Sequence, residues 1–133
     1  MIVVLDASAA IFQAVYPIDP QSVSQNDIIE KADKIVSPDL FISEISNALW
    51  KYCRFKKIEL KDAIQYGQYI ISLVDQFIDT GNLWQQALDI AYNSSHSVYD
   101  CFYLALALNN DAILLTRDKK LQQLAIDINI KIQ

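Results

Sequence analysis

The sequence predicts an α/β domain, a small parallel sheet with helices on both faces in three layers. Three observations carry this. Short unbroken apolar runs at Ile2–Leu5 and Ala112–Leu115 read as strands buried on both faces. Between them apolar residues recur at spacings of three and four, the helical period. And 133 residues, 53% hydrophobic and 20% charged, suffice for one core without disulfide or metal, so residues 1–133 read as a single domain.

Taken in order, Ile2–Leu5 is the first strand and ends at an acid, Asp6. Ala7–Val15 follows with helix formers, closed by Pro17 and Pro20. Ser24-x-x-Asp27 has the form of a capping box and opens a helix to about Lys34. Ile35–Val36 is a very short strand, stopped by Ser37-Pro38-Asp39. From Leu40 to about Ile58, Phe41, Ile45, Ala48, Leu49, Tyr52 and Phe55 mark a long amphipathic helix. A second runs from Glu59 or Leu60 to about Val74. A brief strand at Gln76–Ile78 stops at Asp79-Thr80-Gly81. Helices are expected at Leu83–Asn93 and Val98–Leu108, with Asn109-Asn110 breaking the chain before Ala112–Leu115. Lys119–Ala125 reads as helix and Ile128–Ile132 as a last strand.

Composition excludes several chemistries. Gly67 and Gly81 are the only glycines, where average usage of about 7% gives about nine. That removes the dinucleotide-binding turn, the Walker A loop and the nucleophile elbow. Cys53 and Cys101 lack metal-ligand spacing and read as small hydrophobes in a reduced chain. His96, the only histidine, precedes a helix and reads as structural. No basic signal region or membrane-length apolar run appears, so the expectation is a cytoplasmic protein away from membranes.

Four acids stand where such a sheet binds ligands, outside the carboxyl ends of its strands. Asp6 ends the first strand and Asp118 follows Ala112–Leu115 in Thr116-Arg117-Asp118. Glu44 and Asp100 lie in the first turns of helices, embedded in the apolar stretches 40–43 and 101–104. Singly, each has a plain structural reading as an N-cap or as a favourable partner of the helix dipole. Together, four carboxylates near a core could not all ionise without a cation. Oxygen ligands with little histidine suit Mg²⁺ or Mn²⁺ and the phosphate chemistry that accompanies them.

Four segments, Val4–Ser8, Glu44–Leu49, His96–Ala107 and Leu114–Leu121, closely resemble PIN-domain proteins of the VapC toxin type in order and spacing. The resemblance covers essentially the whole chain, and the His96–Ala107 segment is its most specific part. It implies a Mg²⁺-dependent endoribonuclease, the toxin of a toxin–antitoxin pair, that leaves a 5′-phosphate and a 3′-hydroxyl. Asp6, Glu44, Asp100 and Asp118 match the family's catalytic and metal-binding acids. Ser8, Asn47 and Thr116 match supporting polar positions. Arg117, Lys119 and Lys120 surround Asp118, so no fifth carboxylate is assigned and the number of metals stays open. The resemblance also implies a homodimer and a cognate antitoxin whose segment lies in a hydrophobic groove and blocks the acids.

Two basic groups are candidates for holding RNA. Arg117, Lys119 and Lys120 flank a site acid. Lys51, Arg54, Lys56, Lys57 and Lys61 alternate with Trp50, Tyr52 and Phe55, as a phosphate-tracking rim with stacking faces would. The plainer reading of that second group is basic side chains lying along a helix over core aromatics. Tyr66, Tyr69, Phe77 and Trp84, with a mean hydropathy of +0.15, leave room for a partner surface.

A haloacid dehalogenase-type phosphotransferase would need a second acid where Ser8 stands. A receiver domain would need one beside Asp6 and another mid-chain, where Trp50 and Lys51 lie. The remaining alternatives are a PIN-like RNA-binding or interaction module and a solitary RNA-processing nuclease. The formal charge of −5 does not weigh against RNA. Of 16 acids, four belong to the site, and the other 12 face 11 bases.

Overall fold

A computed structural model describes residues 1–55 and 58–133. Its centre is a five-stranded, all-parallel sheet in the order β3-β2-β1-β4-β5. The strands are β1 (Ile2–Leu5), β2 (Lys34–Pro38), β3 (Gln76–Ile78), β4 (Ile113–Leu115) and β5 (Lys131–Ile132). Around them stand α1 (Ala7–Val15), α2 (Pro20–Lys31), α3 (Leu40–Phe55), α4 (Leu60–Ser72), α5 (Trp84–Ser94), α6 (Val98–Asn110) and α7 (Lys119–Asp127). The chain steps outward from β1 to β3 and then crosses back to β4 and β5. With right-handed crossovers this puts α1–α4 on one face and α5–α7 on the other, the three-layer arrangement expected from the sequence.

Val3, Val4 and Leu5 are fully buried because β1 has a strand on either side and helices above and below. That is why it reads as an unbroken apolar run. The direction of growth reverses between β1 and β4, which pair through Val4↔Leu114 and Leu5↔Leu115. At such a reversal the connecting loops diverge and leave a crevice at the carboxyl ends of the strands. No helix among the described residues is long and apolar enough to cross a membrane.

Several boundaries differ from the sequence expectation. Pro20 does not close α1. It is the first residue of α2, capped by the Asp19 side chain, which accepts from the Gln21 amide at 2.8 Å. A proline's missing N–H costs nothing in a first turn, where amides lack partners anyway. Ser24-x-x-Asp27 therefore lies inside α2 and not at its start, and the helix ends at Lys31. Asn109 and Asn110 are still helical. The break falls at Asp111, in the left-handed region with φ 47°. The final strand is only Lys131–Ile132.

The two candidate caps make different predictions. Asp19→Ala should lower unfolding free energy by about 1 kcal/mol, as N-cap truncations typically do. Ser24→Ala, on the exposed side of α2, should stay within about 0.5 kcal/mol. Urea unfolding midpoints decide between them.

Candidate active site

Asp6 caps α1 directly after the central strand and is only 5% exposed. Its Oδ1 accepts from the Ala9 amide at 2.9 Å and from the Ser8 hydroxyl at 2.7 Å, and Thr116 donates its hydroxyl to Oδ2. Thr116 leaves β4 next door, so its hydroxyl ties the ends of the two strands together. It also accepts the Asp118 amide at 3.1 Å, while Ser8 accepts the Arg117 amide at 3.0 Å. Asp118 then caps α7, its Oδ1 accepting from the Lys120 and Leu121 amides at 2.9 and 3.1 Å.

Asp6, Glu44 and Asp100 lie near enough for their charges to act on one another. Burial pushes the Asp6 carboxyl up from 3.8 to about 6, opposed by its hydrogen bonds and reinforced by the Asp100 charge. Glu44 is raised as well, by burial and by the charges of Asp6 and Asp100. Asp118 stands apart on the exposed rim and reaches Asp6 through Thr116. Asn47 sits one turn after Glu44 on α3 and faces the cleft between α1 and α3.

Two residues that sequence reasoning left out of the site hold its acids. Tyr103, 1% exposed, donates its hydroxyl to Glu44 Oε1 at 2.5 Å. Burial and the charges of Glu44 and Asp6 push the phenol far above its ordinary range, so it remains a neutral donor. His96 Nε2 lies 2.8 Å from Asp100 Oδ2, giving the histidine a specific place in the site. The four-residue spacing of His96 and Asp100 was a signal available in the sequence. Tyr103 offered none, since an aromatic in an apolar helix looks like core.

The basic groups divide. Arg117 stacks on Phe12, with its guanidinium 3.8 Å from the ring centroid, and donates to Gln21, while Lys119 and Lys120 are exposed. In the second group Lys51 lines the α1/α3 cleft. Arg54 lies over Phe55, and Lys61 pairs with Glu59 at 3.4 Å. Lys56 and Lys57 lie outside the described residues. Trp50 and Cys53 turn instead to an apolar groove of about 500 Å³ between α3 and α4. Burial pushes the Cys101 thiol to about 11, consistent with an inert core position.

The donors fit a hard divalent cation in kind: all are carboxylate oxygens, and among the described residues no Lys or Arg pairs with Asp6, Glu44, Asp100 or Asp118. They do not form a closed cage, because no three acidic, His or Cys side chains among the described residues converge enough to hold a metal alone. Mg²⁺ seldom asks for such a cage. It keeps several waters and takes one or two carboxylates plus substrate oxygens.

The raised Asp6 carboxyl has a thermodynamic signature. Its proton is bound more tightly in the folded state, so the group's stability penalty is absent below about pH 4. The penalty grows through about pH 6 and stays constant above, at about 3 kcal/mol for a shift of this size in the metal-free protein. Asp6→Asn in EDTA should therefore be more stable than the parent at pH 7, with a difference that vanishes towards pH 4. Urea titrations across that range would expose a pH-independent difference if burial does not shift this group.

Comparison with known proteins identifies the fold and the family. The PIN domain model matches residues 3–127. Among solved structures, PAE2754 from Pyrobaculum aerophilum superposes with a TM-score of 0.75 at 23% identity, covering 98% of this chain and 81% of that one. VapBC2 from Rickettsia felis, bound to a DNA fragment from its promoter, gives 0.69 at 12% identity over 100% of this chain and 98% of that one. VapC20 from Mycobacterium tuberculosis, described as a sarcin-ricin loop cleaving toxin, gives 0.66 at 12%, covering 91% and 93%. No curated protein matches the sequence significantly. These likenesses carry the fold, and the family match spans nearly the full length: the chain belongs to the PIN domain family.

Proposed function

We propose that the protein is a Mg²⁺- or Mn²⁺-dependent endoribonuclease, the toxin of a toxin–antitoxin pair. The observation that supports it best is that burial and neighbouring carboxylate charge raise both Asp6 and Glu44 beside Asp100, with no Lys or Arg among the described residues paired to any of the three. Asp6, Glu44, Asp100 and Asp118 would hold the ion. When bound, a divalent cation activates an attacking water and offsets charge on the scissile phosphate.

The chain's own contribution is to keep the oxygens in place. Thr116 and Ser8 fix both Asp6 oxygens, Tyr103 fixes one Glu44 oxygen, and His96 occupies one Asp100 oxygen. The Asp118 cap leaves its second oxygen turned from the helix amides. Lys119 and Lys120 add positive charge at the rim for substrate phosphates.

An antitoxin partner and a homodimer belong to the same proposal. Structures similar in fold include VapBC2 and FitAcB from Neisseria gonorrhoeae. The surface supplies two separate apolar faces. One is the α3/α4 groove with Trp50, Leu60 and Ile64; the other is the α5 ridge of Trp84, Leu88 and Tyr92. The open arrangement of the acids is the one observation favouring the non-catalytic RNA-binding module instead. RNA bound but uncut in either metal would select that reading.

Purified protein should cut single-stranded RNA in Mg²⁺ or Mn²⁺ and stop in excess EDTA. Asp6→Asn should lose roughly 100-fold or more, beyond the loss usual for groups that merely support a ligand. Full activity of either preparation would overturn the assignment. Tyr103→Phe should fold yet lose roughly 10- to 100-fold in divalent-ion affinity, read by Mn²⁺ binding as well as by activity. Unchanged Mn²⁺ affinity would reduce Tyr103 to a packing residue.

A further inference from the structure

A cavity of about 340 Å³ opens between α1 and α3, beside the acids. Ser8 and Ile11 line it from α1, and Glu44, Asn47, Ala48 and Lys51 from α3. Ser8 joins it to the reacting centre, because its hydroxyl is bonded to Asp6. Glu44, Asn47 and Lys51 are spaced at three and four, so they share one helix face, and seven residues of rise put Lys51 about 10 Å beyond Glu44. The cavity is thus graded. It is acidic at the site, has an amide in the middle, ends in a cation, and has Ile11 and Ala48 as an apolar floor. Lys51 makes no ion pair among the described residues.

We infer that this cavity is a nucleotide subsite for the residue next to the scissile phosphate, with that nucleotide's own phosphate on Lys51. The inference rests on the ribonuclease reading and extends it to how substrate is held. The volume lies at the small end of ligand sites and suits one nucleotide. A basic side chain from a protein partner would meet Lys51 and be repelled, and an acidic one would meet Glu44. A nucleotide carries its anion at one end and a flat, neutral base at the other, which rests on the Ile11 and Ala48 floor with its polar edge at Asn47.

The test compares wild type, Lys51→Ala, Ala48→Leu and Lys34→Ala on a fluorescent single-stranded oligoribonucleotide. Binding is read by anisotropy in EDTA and cleavage in Mg²⁺ or Mn²⁺. Lys51→Ala should weaken binding and raise KM about tenfold with kcat within twofold. The slope of log affinity against log salt should fall by about 0.7, the share of one single-strand phosphate. Ala48→Leu, which fills the floor, should weaken binding and leave that slope alone. Lys34 opens β2 at the far end of the sheet, and its removal should change nothing. Wild-type affinity and salt slope in Lys51→Ala overturn the subsite, as does a loss confined to kcat. A wild type that binds with this Lys51 dependence yet cuts nothing keeps the subsite and overturns the ribonuclease reading. A wild type that neither binds in EDTA nor cuts in Mg²⁺ or Mn²⁺ overturns both, and one that cuts without binding in EDTA overturns the subsite alone.

Discussion

Asp6 stands where the central strand meets α1, shut off from water, with its two oxygens taken up by the Thr116 and Ser8 hydroxyls and the Ala9 amide. Three hydrogen bonds favour the charged form, yet burial outweighs them and holds the carboxyl near neutrality's lower edge, at about 6. A fold optimised for stability alone would place an asparagine or serine here, since either caps a helix without a desolvated charge. The acid therefore works against stability at neutral pH, the expected mark of a group kept for chemistry.

The rest of the crevice is organised around that oxygen pair. Thr116 spans from β4 to β1 and at the same time accepts the amide of Asp118, so one hydroxyl positions two acids. Tyr103 and His96 belong to α6 and to the turn before it, and each holds a different acid, on α3 and on α6. A single helix thereby sets Glu44 and Asp100 relative to each other. Because α6 also packs on β1, β2 and β4, that setting is anchored in the sheet, with His96 in the preceding turn adding its hold on Asp100.

How much of this was legible in the sequence depends on whether a residue's pattern has one physical cause or several. Val3, Val4 and Leu5 could hardly be anything but a strand buried on both faces. Asp6 and Asp118 could be singled out because a strand end in a parallel sheet is where polar side chains meet ligands, whereas Thr116 stood out only through the family resemblance. Pro20 was misread because proline both ends helices and begins them; only the preceding Asp19 cap distinguishes the cases. Tyr103 was invisible as a donor, because its neighbours Cys101, Leu104 and Ala105 are all buried and an aromatic among them satisfies the core pattern equally well. The cluster from Lys51 to Lys61 looked continuous along the chain, yet helix geometry sends Lys51 and Trp50 into different clefts.

The charge distribution then constrains how a polyanion would be met. Outside the four site acids the chain is almost neutral, so no broad positive field draws nucleic acid in from a distance. Under the ribonuclease reading, attraction has to be local. It comes from Lys119 and Lys120 at the rim, from Lys51 in the cleft, and from whatever cation the acids hold. Arg117 is held against Phe12 and Gln21, neither of which neutralises its charge, so it adds to the same local field from a fixed position. Few phosphate contacts imply weak indiscriminate binding and a shallow salt dependence. Selection among RNAs would then fall to the shape of the α1/α3 cleft, where an apolar floor and one amide can tell one nucleotide from another.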